Sequence, residues 1–79
     1  MHQREQARFA LYLQRNPATA LVLAQKNWAV QKEAADARIY LEAALKAGDS
    51  AAPVMSWVRA NKLEDVAIAR LARQLKAGS

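Results

Sequence analysis

Few side chains in this sequence could act on a substrate. His2 is the only histidine and there is no cysteine, so a zinc site lacks its usual ligands. Ser50, Ser56 and Ser79 have no histidine placed to activate them, which removes Ser-His-Asp chemistry. Two carboxylate pairs remain. Glu33 and Asp36 stand one helical turn apart, and Glu64 and Asp65 are adjacent. Paired carboxylates can do general acid–base work. Acidic residues at a helix start also complement the helix dipole, and that is the favoured reading of both pairs. No glycine-rich loop is present to cradle a phosphate. Trp28 and Trp57 could offer stacking platforms to single-stranded nucleic acid. Each lies among apolar residues at helical spacing, so anchoring in a core is favoured. The expectation is a chain that is not an enzyme and binds no metal or cofactor.

The elements that carry these residues are helical by composition. Nineteen of the 79 residues are Ala and only two each are Gly and Pro. Ala is the best helix former, and no alternating apolar–polar run marks a strand. The fold class expected is all-α, with five helices at about 3–14, 17–31, 34–47, 51–61 and 64–77, all in one domain spanning 1–79.

The local signals are specific. In the first helix Ala7, Ala10, Leu11 and Leu13 are apolar, and Phe9 and Tyr12 add aromatic surface. Asn16 suits an N-cap and Pro17 the first helical position after it. That leaves a connection of about two residues and forces an antiparallel neighbour. In the second helix Ala20, Leu21, Ala24 and Trp28 form one face. Val22, Leu23, Ala29 and Val30 widen it almost all round, which predicts a helix wedged between neighbours. The third follows a soft break at Lys32-Glu33 and turns Ala37, Tyr40, Leu41, Ala44 and Leu45 to the core. Gly48 is its expected left-handed stop. Asp49 or Ser50 is expected to cap the fourth helix, whose apolar face is Val54, Trp57 and Val58. Asn61 is its expected left-handed terminator. The fifth carries Ile68, Leu71, Ala72 and Leu75 on one stripe and Arg70, Arg73, Gln74 and Lys76 on the other face. A single stripe of this kind suits a closing cap.

The net charge is +5 and the pI about 10.1. That balance permits an acidic partner. No two of the twelve Lys and Arg residues are adjacent, so the charge reads as a solvated surface before it reads as a nucleic-acid footprint. Apolar runs such as Ala20–Ala24 are far short of the ~20 residues that span a bilayer. The N-terminus, MHQREQAR, lacks the apolar core of a signal peptide. A soluble, cytoplasmic protein with no membrane span is expected.

Part of the third helix recurs. Leu41-Glu-Ala-Ala-Leu45-Lys46-Ala47-Gly48 returns as Leu71-Ala-Arg-Gln-Leu75-Lys76-Ala77-Gly78 at an offset of 30, with Ala37 and Ala67 in the same register. An echo at offset 34 pairs Ala10 with Ala44, Leu11 with Leu45, Ala18 with Ala52 and Asn27 with Asn61. A period of thirty-odd residues suggests stacked helical hairpins. The hairpins resemble the tetratricopeptide repeat (TPR), in a divergent bacterial form. Leu41 stands at that family's Leu position, and Leu45 where Tyr is usual. Val54, Val58 and Asn61 stand at B-helix core positions. The stretch Asn16–Val30 resembles a B helix with Ala20 and Ala24 at its small positions. Glu42 departs from the pattern, which prefers Gly or Ala there. An unrelated five-helix bundle or another α-solenoid is the alternative.

The resemblance implies a right-handed α-solenoid of about two repeats plus a closing helix, in a piece of a longer TPR protein. It implies a non-catalytic protein–protein interaction scaffold that holds a peptide or partner helix in a concave groove. By that register Glu5, Phe9 and Tyr12 of the first helix face the groove. So do Ile39, Ala43 and Lys46 of the third, and Arg70 and Arg73 of the fifth. Phe9 and Tyr12 could instead pack in the core. Such a groove is mixed apolar and basic and suits an acidic amphipathic segment. The A helices lack the Asn residues of the family's carboxylate-clamp version, so a chaperone-tail role is not supported. A basic helical module for nucleic acid is the less favoured alternative. Phe9 and Leu13 are left with little to cover them, which predicts a contact surface and a homodimer through that patch.

Overall fold

The computed structural model describes the backbone of residues 3–61 and 65–78, and the side chains of 4–61 and 65–75. His2, Glu64 and Ser79 lie outside these residues. The described chain forms five α-helices: α1 (Gln3–Tyr12), α2 (Pro17–Val30), α3 (Ala34–Ala47), α4 (Ala52–Asn61) and α5 (Val66–Gly78).

Each boundary has a chemical cause. α1 ends two residues earlier than the apolar pattern predicts. Leu13 and Gln14 both donate their N–H groups to the Phe9 carbonyl, so the last turn widens. Arg15 then turns left-handed at φ 52° and the Asn16 N–H reaches the Ala10 carbonyl. The side chain of Asn16 accepts the Thr19 N–H at 3.2 Å and Pro17 opens α2, as the sequence leads one to expect. α2 ends at Val30. α3 opens with a capping box: Glu33 is the cap and Asp36, three residues on, accepts the Glu33 N–H at 3.0 Å. Gly48, at φ 80°, stops α3, and the N–H groups of Gly48 and Asp49 both donate to the Ala44 carbonyl.

Two expected caps differ, and α5 starts later than expected. Neither Asp49 nor Ser50 occupies the cap position of α4. Ala51 does: its carbonyl accepts the first intrahelical bond, from Met55, while its own backbone takes φ 53°. Asp49 acts one step earlier and accepts the Ala51 N–H at 3.1 Å. Ala51 is fully buried, so a small side chain fits where the Asx turn has already fixed the backbone. Asn61 is the last helical residue, not a left-handed stop. Its amide donates to the Trp57 carbonyl at 2.8 Å. α5 starts at Val66, because Asp65 is the cap and accepts the Ile68 N–H at 3.0 Å.

α3 is the centre. It packs against α2, α5, α1 and α4, and α1 and α2 form the most extensive pair. Its buried residues run nearly round the helix: Asp36, Ala37, Ile39, Tyr40, Leu41, Ala43 and Ala44. Small residues on α1 (Ala7, Ala10) and on α2 (Ala20, Ala24) are all buried, which allows close approach of two backbones. α2 lies between α1 and α3, as its composition predicts, but it is not buried all round. Val22 is 49% exposed and Val30 80%, because α2 packs chiefly on α1 and α3 and turns its other side to water. α5 contributes Ile68 and Leu75 to the core and leaves Arg70, Arg73 and Gln74 exposed. Among the described residues no helix is long and apolar enough to cross a membrane.

Candidate functional site

Where α1, α3 and α5 meet, the surface dips. A depression of about 370 Å³ is lined by Arg8 and Tyr12 of α1, Arg38, Ile39 and Glu42 of α3, and Ala67 of α5. A second, of about 320 Å³, is lined by Leu11, Tyr12, Arg15, Pro17 and Lys46. Tyr12 belongs to both and is half exposed. Arg38, Glu42 and Lys46 follow each other at i, i+4 and i+8, the spacing of neighbours along one helix face. They join the two depressions into one strip. Its charged lining is four cations, Arg8, Arg15, Arg38 and Lys46, against the single carboxylate of Glu42.

Burial pushes the Glu42 carboxyl above its ordinary value, and the nearby Lys46 and Arg8 oppose that rise. Desolvation therefore outweighs the two cations. Ile39, only 3% exposed, supplies apolar floor beneath the charged rim. The strip can accept carboxylates along its rim and apolar side chains around Tyr12 and Ile39.

A buried polar cluster fixes α1 against this strip. The Asp36 side chain is fully buried and its Oδ1 accepts from Nδ2 of Asn27 at 2.7 Å and from Nη1 of Arg4 at 3.3 Å. Arg4 also stands 3.7 Å from the Glu33 carboxylate. Asp36 thus ties α1, α2 and the start of α3 together through one carboxylate. The pair Glu33 and Asp36 is a capping box with a cross-helix role added, and both carboxylates are engaged in holding helices.

The aromatic residues form a second internal link. Trp28 meets Tyr40 edge-on at 6.2 Å and Trp57 edge-on at 5.1 Å, joining α2, α3 and α4. Lys32 sits 5.7 Å over the Trp28 ring. Trp28 is 5% exposed, so it has no free face for a base. Burial raises the Tyr40 phenol above 10.0; a hydrogen bond with Gln25 opposes the rise and Asp49 adds to it.

The residues expected in the groove divide. Tyr12, Ile39 and Lys46 line the strip. Phe9, Arg70 and Arg73 are exposed but line neither depression, Glu5 is exposed beside Phe9, and Ala43 is buried below the surface. Arg8, Arg15, Arg38, Glu42 and Ala67 belong to the strip and were not singled out as its residues from the sequence. The spacing of Arg38, Glu42 and Lys46 carries that signal. Asn27 likewise stands between Ala24 and Trp28 on an apolar face, where a polar residue implies a buried partner. Comparisons of the chain with protein-family profiles, with curated proteins and with solved structures find no match.

Proposed function

We propose that this chain is a non-catalytic protein–protein interaction module. In this reading its helices stack as antiparallel hairpins of TPR type, and the α1–α3–α5 face binds an acidic amphipathic peptide or partner helix. The observation that carries the reading is the strip itself: four cations and one half-buried carboxylate around Tyr12, over an apolar floor. Most of the chain's net charge of +5 is gathered there. Opposite charge on a partner would steer it to this face and orient it.

One side of the packing supports the stacking part of the reading, although α4 meets α3 only slightly and has no extensive contact with α5. α3 touches both α1 and α5, so the odd-numbered helices stand side by side. In a solenoid those helices line one surface. The radius of gyration, 11.3 Å, is close to the ~12 Å of a compact domain of this length. Two hairpins and a closing helix are too few to extend into a superhelix.

Selection of random 15-residue peptides displayed on phage tests the proposal. The expected result is enrichment of sequences with Asp or Glu spaced among apolar residues. Arg8→Glu with Arg38→Glu should abolish their binding and leave the fold intact, since neither side chain is in the core. Enriched peptides that ignore these two changes would refute it. Tighter binding of a single-stranded oligonucleotide, with a steep salt dependence from counterion release, would favour the nucleic-acid alternative.

A further inference from the structure

The charges of the strip are ordered along α3. Arg38, Glu42 and Lys46 follow each other in steps of four residues, about 6 Å each along the helix axis. Each end gains a second cation from outside α3. Arg8 shares one depression with Arg38, and Arg15 shares the other with Lys46. The row therefore reads two cations, one carboxylate, two cations.

Glu42 has no structural employment. Among the described residues the ion pairs are those of Arg4 with Glu33 and Asp36, and Glu42 makes neither an ion pair nor a hydrogen bond. No buried side-chain oxygen lacks a partner, so the oxygens of this half-buried carboxylate reach the surface. They do so in the depression that Arg8 and Arg38 also line. Like charges set face to face across an interface oppose binding, and opposite charges fix register. A ligand that is acidic throughout is thus repelled at the middle of the strip.

We propose, resting on the peptide-binding reading, that Glu42 sets the partner's charge order: the α1–α3–α5 face takes a helix with an acidic, a basic and an acidic residue at i, i+4 and i+8. A partner helix repeats the ~6 Å step of α3. Rows of i, i+4 spacing on two helices run parallel when the axes cross at about −50°, the commonest packing class. The basic residue then falls on Glu42, and each acidic residue falls on one of the two cation pairs. In a helix the residues at i+3 and i+7 lie beside the charged row, where they can meet Tyr12 and Ile39. An extended chain would turn its intervening side chains away from the surface.

Two fluorescein-labelled, alanine-based 15-residue peptides test this by fluorescence anisotropy. Both carry leucine at the seventh and eleventh positions and glutamate at the fourth and twelfth. The eighth is lysine in one peptide and glutamate in the other. The lysine peptide should bind the chain about tenfold tighter. Glu42→Gln should erase that gap and Glu42→Lys should reverse it, with far-UV circular dichroism unchanged. The reversal excludes peptide helicity as the cause, since the lysine peptide is the better helix in every case. Should Glu42→Lys lose its helical signal, the loss of the gap in Glu42→Gln decides alone. Equal or tighter binding of the glutamate peptide to the parent chain overturns the charge order, and so does a gap that ignores both substitutions. Tighter binding of a third peptide, with glutamate, lysine and glutamate on alternate residues and a proline to bar the helix, overturns the helical arrangement. If phage-selected acidic peptides bind and neither designed peptide does, the charge order fails and the peptide-binding reading stands. If no acidic peptide binds, both fall.

Discussion

Asp36→Ala is the sharpest perturbation of this fold, because one buried carboxylate serves three partners. The change leaves the Asn27 amide buried, at 3% exposure, without its 2.7 Å acceptor. An orphaned buried donor costs about 1–3 kcal/mol. The bond to the Glu33 N–H is also lost, and a helix cap is worth roughly 0.5–2 kcal/mol. Arg4 loses its ion pair, but its side chain is 29% exposed and water replaces most of that interaction, leaving under about 1 kcal/mol. Relief from burying a carboxylate offsets part of the loss. The net expectation is ~2–4 kcal/mol. A domain of this size moves 4–8 °C per kcal/mol, so Tm should fall by on the order of 10–25 °C. Thermal unfolding followed by circular dichroism reads this directly. Asp36→Asn keeps an acceptor oxygen and should fall about half as far, and Arg4→Ala should fall by under ~5 °C. An Asp36→Ala protein within about 3 °C of the parent would refute the clasp as a source of stability.

Three other expectations follow from the packing and the electrostatics. Leu71 packs against the core from α5, whereas Arg73 is exposed; Leu71→Asp should cost a few kcal/mol, about 3 or more, and Arg73→Glu should be near neutral, so equal Tm shifts would refute the one-sided packing of α5. Glu42 holds its proton more tightly in the fold than in the unfolded chain, because burial raises its carboxyl above 4.5; its charged form therefore subtracts stability as pH rises past 4.5. Glu42→Gln should accordingly raise Tm at pH 7 by ~1–3 °C and make no difference at pH 3, and a gain that is larger at pH 3 would reverse the sign. Gly48 sits at φ 80° with open space around its Cα; Gly48→Ala should cost about 1–2 kcal/mol of backbone strain with no steric clash, measured by urea unfolding.

The fold was legible where one residue governs one local event. Asn16-Pro17, Gly48 and the i, i+3, i+4, i+7 stripe of α5 mark their positions without help from the rest of the chain. Local signals failed where tertiary contacts decide. Val22 and Val30 read as buried because hydropathy counts residues and not neighbours; α2 packs on one side and leaves both in water. Ala51 takes a left-handed conformation that its own type disfavours, because Asp49 and the buried surroundings impose it. The candidate strip was half visible. Tyr12, Ile39 and Lys46 followed from a repeat register, but Arg8 and Arg38 enter only once α1 and α3 lie side by side. Asn27 and Asn61 match in the offset-34 echo yet do different work: one bonds across helices to Asp36, the other closes its own helix on Trp57.

Acidic segments are proposed to bind on the α1–α3–α5 face. Amide chemical-shift mapping of the ¹⁵N-labelled chain, titrated with a phage-selected acidic peptide, locates the binding face. Shifts are expected to concentrate at Arg8, Tyr12, Arg38, Ile39, Glu42, Lys46 and Ala67, with Val22 and Val30 on the outer side of α2 unmoved. Shifts centred on α2, with the strip silent, would contradict it.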